Sequence, residues 1–337
     1  MSQPIPKRIK ENNPNIGEKP FNTLLVDGSS ILETCWNASK KLSSDGKEIG
    51  AVVPFLVQLK ILLHKGNFRY VYIFWDGANS GQCRFSYNTD YKANRDKSFV
   101  ETELSDYMKE VNARIEYMQN KIFKQKQPSK SKDEKENFHW QREIIIQCLD
   151  ELYIRQCLCD LTEADDFVGY YVTHKKPNER IVICSNDRDL TQLISDDVIV
   201  YVQSMKDFVN TKNHTEKMGY YYENVVLKKV ICGDASDNIK GIKGVGETTL
   251  FNNFPEFKQR KVHLSEVIDR AREINEERAK AKKKPLKWAE NIVNRVTDGA
   301  PGEQIYEINE KIIDLRNPLM TDEAIELIES MMYAPID

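Results

Sequence analysis

The chain has 337 residues, room for about two domains, and its Lys+Arg 49 against Asp+Glu 52 leave a net charge of −3. That balance excludes a histone-like polycation, although a basic face and an acidic pocket can both hide inside a small sum. With 40% hydrophobic and 30% charged residues the composition is that of a soluble globular protein. No apolar run nears the ~18 residues of a membrane span, and the first twenty residues lack the apolar core of a secretory signal.

Residues 1–20 are rich in Pro and Asn and are expected to be disordered. Leu24, Leu25 and Val26 form an apolar run that stops at Asp27-Gly28-Ser29-Ser30, the pattern of a buried strand, a turn and a helix start. A helix is expected around Val52–His64. The run from Tyr70 to Trp75 predicts a second strand, which stops at Asp76-Gly77. Residues 96–150 are helical in composition and contain a charged patch from Lys124 to Glu136 with Pro128 inside it; two helices with a mobile connection are expected there. Thr162 precedes Glu163-Ala164-Asp165-Asp166 and an apolar stretch, which predicts a helix start capped by Thr162. Ile181–Cys184 and Val198–Val202 read as a third and a fourth strand, the third followed by Ser185-Asn186-Asp187-Arg188-Asp189. This alternation over residues 21–205 argues for an α/β fold, a parallel sheet with helices on both faces. From Glu223 onward the pattern is helical, broken at Gly233–Gly246. Residues 270–287 are basic, with eight Lys/Arg against three Glu. The seven cysteines, an odd number without zinc-like spacing, read as reduced thiols in a cytoplasmic setting.

Strand ends concentrate the acids. Asp27, Asp76, Asp187 and Asp189 all follow strands, and ligands of open parallel sheets bind beyond those ends. The helix start adds Glu163, Asp165 and Asp166, and the glycine-rich break adds Asp234 and Asp237. Singly, such residues are often turn formers or helix caps. Jointly they cannot be inert, because two carboxylates about 5 Å apart repel by roughly 3 kcal/mol at an effective dielectric near 20. A cluster of this kind stays partly protonated or binds cations. All-oxygen donors select hard ions, Mg²⁺ or Mn²⁺, and two such ions in an acidic pocket read as in-line phosphoryl chemistry. A phosphatase with an aspartyl nucleophile fits less well, since it wants Asp-x-Asp after the first strand and the chain has Asp27-Gly28-Ser29.

Two further segments bear on a phosphate substrate. Arg84 and Tyr91-Lys92-Ala93-Asn94-Arg95 follow Asp76. Lys92 and Arg95 read either as a solvated helix face or as cations that neutralise a phosphate at the metals. Tyr87 and Tyr91 offer flat faces to a nucleobase or pack in a core. In the stretch Gly233–Thr249, Gly241, Gly244 and Gly246 allow a tight hairpin between two helices whose backbone N–H groups approach a phosphate, with Lys243 beside them and a helix start near Thr248 facing the anion.

Taken together these motifs resemble the 5′-nuclease superfamily. They are LLVDGSS at 24–30, FWDG at 74–77, Arg84, YKANR at 91–95, EADD at 163–166, SNDRD at 185–189 and GDASDNIKGIKGVGE at 233–247. FWDGANSG followed by YKANR is most similar to the phage ribonuclease H branch, and the intact glycine hairpin to the wider exonuclease pattern. The resemblance implies a PIN-like catalytic domain over 21–205 with a helical arch at about 84–150. It implies a C-terminal helical DNA-binding domain over 206–337, with a helix–three-turn–helix at about 228–254. By position, Asp27, Asp76, Glu163, Asp165, Asp166, Asp187, Asp189, Asp234 and Asp237 match its site for two Mg²⁺ ions, for which Mn²⁺ substitutes. Lys92 and Arg95 match its arch cations. Arg84, Tyr91, Gly241, Lys243, Gly244, Gly246 and Thr248 are expected at the DNA. The implied activity is 5′–3′ exonuclease and flap cleavage of DNA, and of RNA in RNA–DNA hybrids during primer removal. The implied partners are those nucleic acids and replication proteins such as single-strand-binding protein; no membrane is implied, and the compartment is cytoplasmic, the host's if phage-encoded. A DNA-binding protein without catalysis is disfavoured because bare acids weaken DNA binding. A single-strand PIN ribonuclease is disfavoured because it needs no duplex grip.

Overall fold

Six strands form the central sheet: β1 (Thr23–Asp27), β2 (Tyr70–Asp76), β3 (Arg155–Cys159), β4 (Ile181–Ser185), β5 (Val198–Val202) and β6 (Asp207–Val209). Their order is β3-β2-β1-β4-β5-β6. The first five run parallel and β6 returns antiparallel. This computed structural model describes residues 20–38, 49–66, 68–92, 132–296 and 304–334. The expected N-terminal extension up to residue 19, Arg95 and most of the expected arch lie outside them.

All five residues of β1 are buried, so its sequence is apolar on both faces rather than alternating. β3 and β6 are not announced by apolar runs. β3 reads Arg-Gln-Cys-Leu-Cys; as an edge strand it fully buries only Cys157. β6 is three residues long.

Helices cover both faces. On one, α1 (Gly28–Ala38), α2 (Val52–Lys65) and α3 (Lys132–Glu151) bury Leu32, Phe55, Ile145 and Leu149 against Leu24, Val26, Ile73 and Trp75. On the other, α4 (Ala164–Thr173) lays Phe167 and Val168 against Leu25, Phe74 and Ile183. A separate core follows, enclosed by α5 (Val225–Cys232), α6 (Glu247–Asn253), α7 (Leu264–Lys280), α8 (Lys287–Val293) and α9 (Gln304–Ile313). Between α5 and α6 stands the hairpin of β7 (Gly233–Asp234) and β8 (Ile239–Lys240).

The chain then returns to the sheet. α10 (Asp322–Tyr333) buries Ala324, Ile328, Met331 and Met332 in the same core as Phe167. Residues 206–337, expected as one helical domain, thus contribute to both cores. Val209 and Leu315 also belong to the sheet's core, and the helical part is an insertion between them. All seven cysteines are free, and no helix of the described residues is long and apolar enough to cross a membrane.

Phe167 is fully buried and stacks on Phe74 with ring centroids 5.7 Å apart. Phe167→Ala leaves a cavity between α4 and the sheet, and is expected to cost about 3–5 kcal/mol of unfolding free energy. Urea unfolding checks this as a lowered midpoint at unchanged slope.

Candidate metal centre

The C-terminal edge of the sheet gathers the acids as their spacing implies. β1 ends in Asp27, β2 in Asp76, and the turn after β4 carries Asp187 and Asp189. α4 begins at the same edge. Asp27 and Asp76 also act as helix caps: the N–H of Ser30 donates to Asp27 Oδ1 at 2.9 Å and that of Ala164 to Asp76 Oδ1 at 2.8 Å. Ser185 Oγ donates to Asp27 Oδ2 at 2.7 Å, and the Asp76 N–H donates to Ser29 Oγ at 2.8 Å. Thr162 is not the cap of α4. Glu163 occupies that position, its side chain turned instead to cations.

Three cations meet the acids. Arg84 is 3% exposed. Its Nη1 donates to Glu163 at 3.0 Å and to Asp166 at 2.5 Å, its Nη2 to Asp166 at 2.6 Å, and its Nε to the Ile312 carbonyl at 2.9 Å. Arg84, expected at the DNA, here lies inside among the acids as a counter-ion. Asp166, expected as a metal ligand, is fully buried with both oxygens on Arg84. Tyr91 is buried too, its hydroxyl donating to Glu163 at 3.1 Å, so its ring is closed to a nucleobase. Tyr87 is exposed, with Lys311 4.0 Å from its ring centroid. Lys92 Nζ donates to Glu163 Oε1 at 2.7 Å. Lys229, on α5, bridges Asp189 and Asp234, the latter at 2.5 Å.

Electrostatics separates the carboxylates into two kinds. Burial, reinforced by Asp76, pushes Asp27 up to about 7. Burial, then Asp187 and Asp27, holds Asp165 well above the usual carboxylate range. Asp76 is raised by burial and Glu163, and Asp189 by burial and Asp187. Glu163 goes the other way: burial would raise it, but Lys92 and Arg84 outweigh burial and bring it to about 2. Asp234 is likewise about 2, Lys229 overriding its burial. The sheet edge therefore retains more buried negative charge than its lysines and arginine offset.

That surplus, together with a donor set made only of carboxylate oxygens, fits hard divalent cations. Oxygens of Asp189, Asp234 and Asp237 lie within 4.8 Å of one another and can hold one ion. Asp27, Asp76, Asp165 and Asp187 form a second group: Asp76 and Asp187 raise the proton affinity of Asp27, and Asp187 and Asp27 that of Asp165. Asp165, Asp187, Asp189, Asp237 and Lys92 line one pocket.

The hairpin stands beside that pocket. A Cβ on Gly241 would lie 2.2 Å from the Cys232 carbonyl carbon, so close backbone approach demands glycine there. Gly244 has φ +80°, a left-handed conformation that favours glycine. Gly246 has neither constraint: it sits at the N-cap position of α6 with open space around it. Lys243, Gly244, Gly246 and Thr248 are all exposed, and α6 starts at Glu247. The hairpin also holds the segment that carries Lys92. The Lys92 N–H donates to the Asp237 carbonyl at 2.8 Å, and Asn238 Nδ2 donates to the Asp90 carbonyl at 2.8 Å.

Sequence reasoning passed over Lys229, Asn238 and Ser185. Lys229 had a signal, a lysine four residues after Val225 on the buried face of an apolar helix. Asn238 and Ser185 had none beyond their places in the motifs.

A parallel sheet whose carboxyl edge holds buried, cation-seeking carboxylates beside a lysine defines a hydrolase of phosphodiester bonds. The profile of the 5′–3′ exonuclease N-terminal resolvase-like domain matches residues 22–219, and the chain belongs to that family. It is 30% identical over 242 residues to a 5′–3′ exonuclease of Mycoplasmopsis pulmonis, covering 71% of this chain and 68% of that one. It is 25% identical over 272 residues to DNA polymerase I of Bacillus subtilis; the match covers 78% of this chain but only 26% of the polymerase. Among solved structures, bacteriophage T5 5′-exonuclease with bound zinc shares the fold, with TM-score 0.63 and 18% identity, covering 92% of this chain and 98% of that one.

The raised carboxyls set a pH dependence. A carboxyl whose pKa is higher in the folded chain binds its proton more tightly there. That proton therefore stabilises the fold at low pH, and the stabilisation is lost as pH rises from about 4 toward about 7, the value for Asp27. Glu163 and Asp234 have the opposite sign, and their contribution is lost only as pH falls toward about 2. In EDTA the Tm is expected to fall between pH 4 and pH 7, and added Mg²⁺ to raise it more at pH 8 than at pH 5. Calorimetric scans across that range check both statements.

Proposed function

We propose that the chain is a metal-dependent 5′–3′ exonuclease and flap endonuclease. It acts at 5′ ends of DNA and of RNA paired to DNA, with Mg²⁺ as its ion and Mn²⁺ as a substitute. The observation that supports this most is the convergence of Asp165 on α4, Asp187 and Asp189 after β4, and Asp237 of the hairpin on one pocket with Lys92, at the sheet edge where β1 and β2 end in Asp27 and Asp76. Asp27, Asp76, Asp165 and Asp187 would hold one ion and Asp189, Asp234 and Asp237 the other. Two such ions supply an activated water and a clamp on the scissile phosphate. Glu163, held ionised by Arg84, Tyr91 and Lys92, anchors the lysine at the pocket wall. Lys92 offers its ammonium to charge that develops on the phosphate, an interaction stronger in the transition state than in the ground state. The exposed glycine face of the hairpin grips the duplex, and the product keeps a 5′-phosphate. The extension to RNA primers rests on the resemblance of the FWDGANSG and YKANR motifs.

A Mg²⁺-dependent digest of 5′-labelled flap, nicked and RNA-primed duplexes, with product sizing, tests the substrate range. Release of labelled 5′ fragments from all three is expected; cleavage confined to single strands would overturn the reading. Asp187→Asn should abolish cleavage while DNA affinity holds or rises, because it removes a ligand and also a repelling charge.

Lys92→Ala should slow the single-turnover rate about 10²-fold or more, the scale of one lost electrostatic donor. DNA affinity should change far less, one phosphate contact being one of many. Asn238→Gly tolerates the φ of +55° at that site but loses the amide that holds Asp90. It should slow the same step, and add little to Lys92→Ala in the double variant. Additive losses would show that Asn238 acts by another route.

A further inference from the structure

We infer that the lysine-rich turn joining α7 to α8 is a second duplex-binding site, which takes the phosphate backbone within about one-third of a helical turn of the hairpin. This rests on the reading that the hairpin grips duplex.

From Arg278 to Ala289 the chain carries Arg278, Lys280, Lys282, Lys283, Lys284 and Lys287 and no acid. Four of the five acids of α7 are engaged upstream, Glu266 with Arg260, Glu273 and Glu277 with Arg270, and Asp269 with Arg272, and Glu276 alone stands against the lysines that follow. Lys287 pairs with Glu290. Lys280, Lys282, Lys283 and Lys284 are exposed, and among the described residues their ammonium groups have no recorded ion pair. Packing four like charges into so short a stretch opposes folding unless an anion offsets it.

Yet the turn is built rather than loose. Asn275 clasps Leu286 from both sides, its Oδ1 accepting from the Leu286 N–H at 2.7 Å and its Nδ2 donating to the Leu286 carbonyl at 3.3 Å. Arg278 Nε donates to the Lys284 carbonyl at 2.7 Å, and the Lys283 N–H donates to the Arg278 carbonyl at 2.8 Å. Lys282 takes a left-handed φ of +53°, which closes the turn. An arginine spent on backbone geometry holds the neighbouring lysines outward.

The turn is also fixed to the hairpin. Asn291 Nδ2 donates to the Lys243 carbonyl at 2.8 Å, and the Lys243 N–H donates to the Val296 carbonyl at 2.9 Å. Trp288 Cβ lies 3.8 Å from where a side chain on Gly244 would start. Lys284 is four residues from Trp288, at most about 13 Å of chain. At 3.4 Å rise per nucleotide that is roughly four base pairs. A duplex seated on the hairpin thus meets the turn as its next fixed cluster of cations. A regular, rigid row of phosphates matches this better than a flexible acidic peptide does, because the turn is itself rigid.

The test uses the full chain in EDTA, so that no cleavage intervenes, and 5′-overhang substrates with duplex arms of about 4 and about 20 base pairs. The variant is Lys280→Ala/Lys283→Ala/Lys284→Ala, which spares the left-handed Lys282. Affinity for the long arm should fall roughly tenfold at 0.1 M salt, and the slope of log affinity against log salt should drop by about 0.9 per lost phosphate contact. The short arm should bind unchanged, and the single-turnover rate in Mg²⁺ at saturating enzyme should not move. The corresponding Lys→Arg triple should retain the long-arm affinity. Equal loss on both arms, or an unchanged slope, overturns the inference. Retained duplex affinity with lost binding of poly-glutamate also overturns it, and assigns the turn to an acidic protein. Gly244→Asp separates the two levels: if it weakens binding to both arms the hairpin reading stands whatever the turn does, and if it weakens neither that reading fails first.

Discussion

Buried like charge is the constraint on which the rest of this structure depends. Carboxylates that end separate strands are forced together by the parallel sheet, and the sheet cannot release them without breaking β1. Their repulsion is met in two ways. Arg84, Lys92 and Lys229 compensate Glu163, Asp166, Asp189 and Asp234 by direct ion pairs. Asp27, Asp76 and Asp165 have no such partner among the described residues, and burial and neighbouring acids raise their proton affinity instead. The division is functional. Glu163 and Asp166, each with a resident cation, shape the pocket, while Asp189 and Asp234 share Lys229 at a place where, with Asp237, they can also hold an ion. Because removing one member of a buried pair leaves an uncompensated charge, Arg84 matters to folding as much as to the site.

The acids were legible because each stands at a place the sequence marks, after an apolar run or at a helix start. Strand ends in a parallel sheet share an edge, so position along the chain was enough. The orientation of Arg84 and Tyr91 was not legible, for a related reason. Adjacency to the motifs shows that they are near the site but not whether they face inward, and here both turn in toward Glu163. β3 escaped notice because an edge strand needs only one buried side chain, and Cys157 supplies it. The same limit hid the destination of α10. Its amphipathic pattern announces a helix with one apolar face, but not which of two cores receives that face.

Local chemistry and global packing agree closely around Lys92. Its backbone is left-handed at φ +49° and is held by the Asp237 carbonyl, so the turn carrying a metal-binding acid also sets the position of the lysine. Tyr91, one residue earlier, is buried in the core of the helical insertion while its hydroxyl reaches Glu163. The sheet edge and the insertion are thus joined through three consecutive residues: Asp90 is held by Asn238, Lys92 by the Asp237 carbonyl, and both Tyr91 and Lys92 reach Glu163.

The insertion has a mechanical consequence. It leaves the sheet after β6 and returns at Leu315, and Gln192 fastens the return by accepting from the Leu315 N–H at 2.9 Å and donating to the Ile313 carbonyl at 3.1 Å. A part tethered at one end can swivel freely about a single point. A part tethered at both ends cannot swivel in this way, and here Lys229 on Asp189, the Lys92 N–H on the Asp237 carbonyl and Arg84 on the Ile312 carbonyl add ties between the insertion and the sheet edge, so the gap above the acids has a set width.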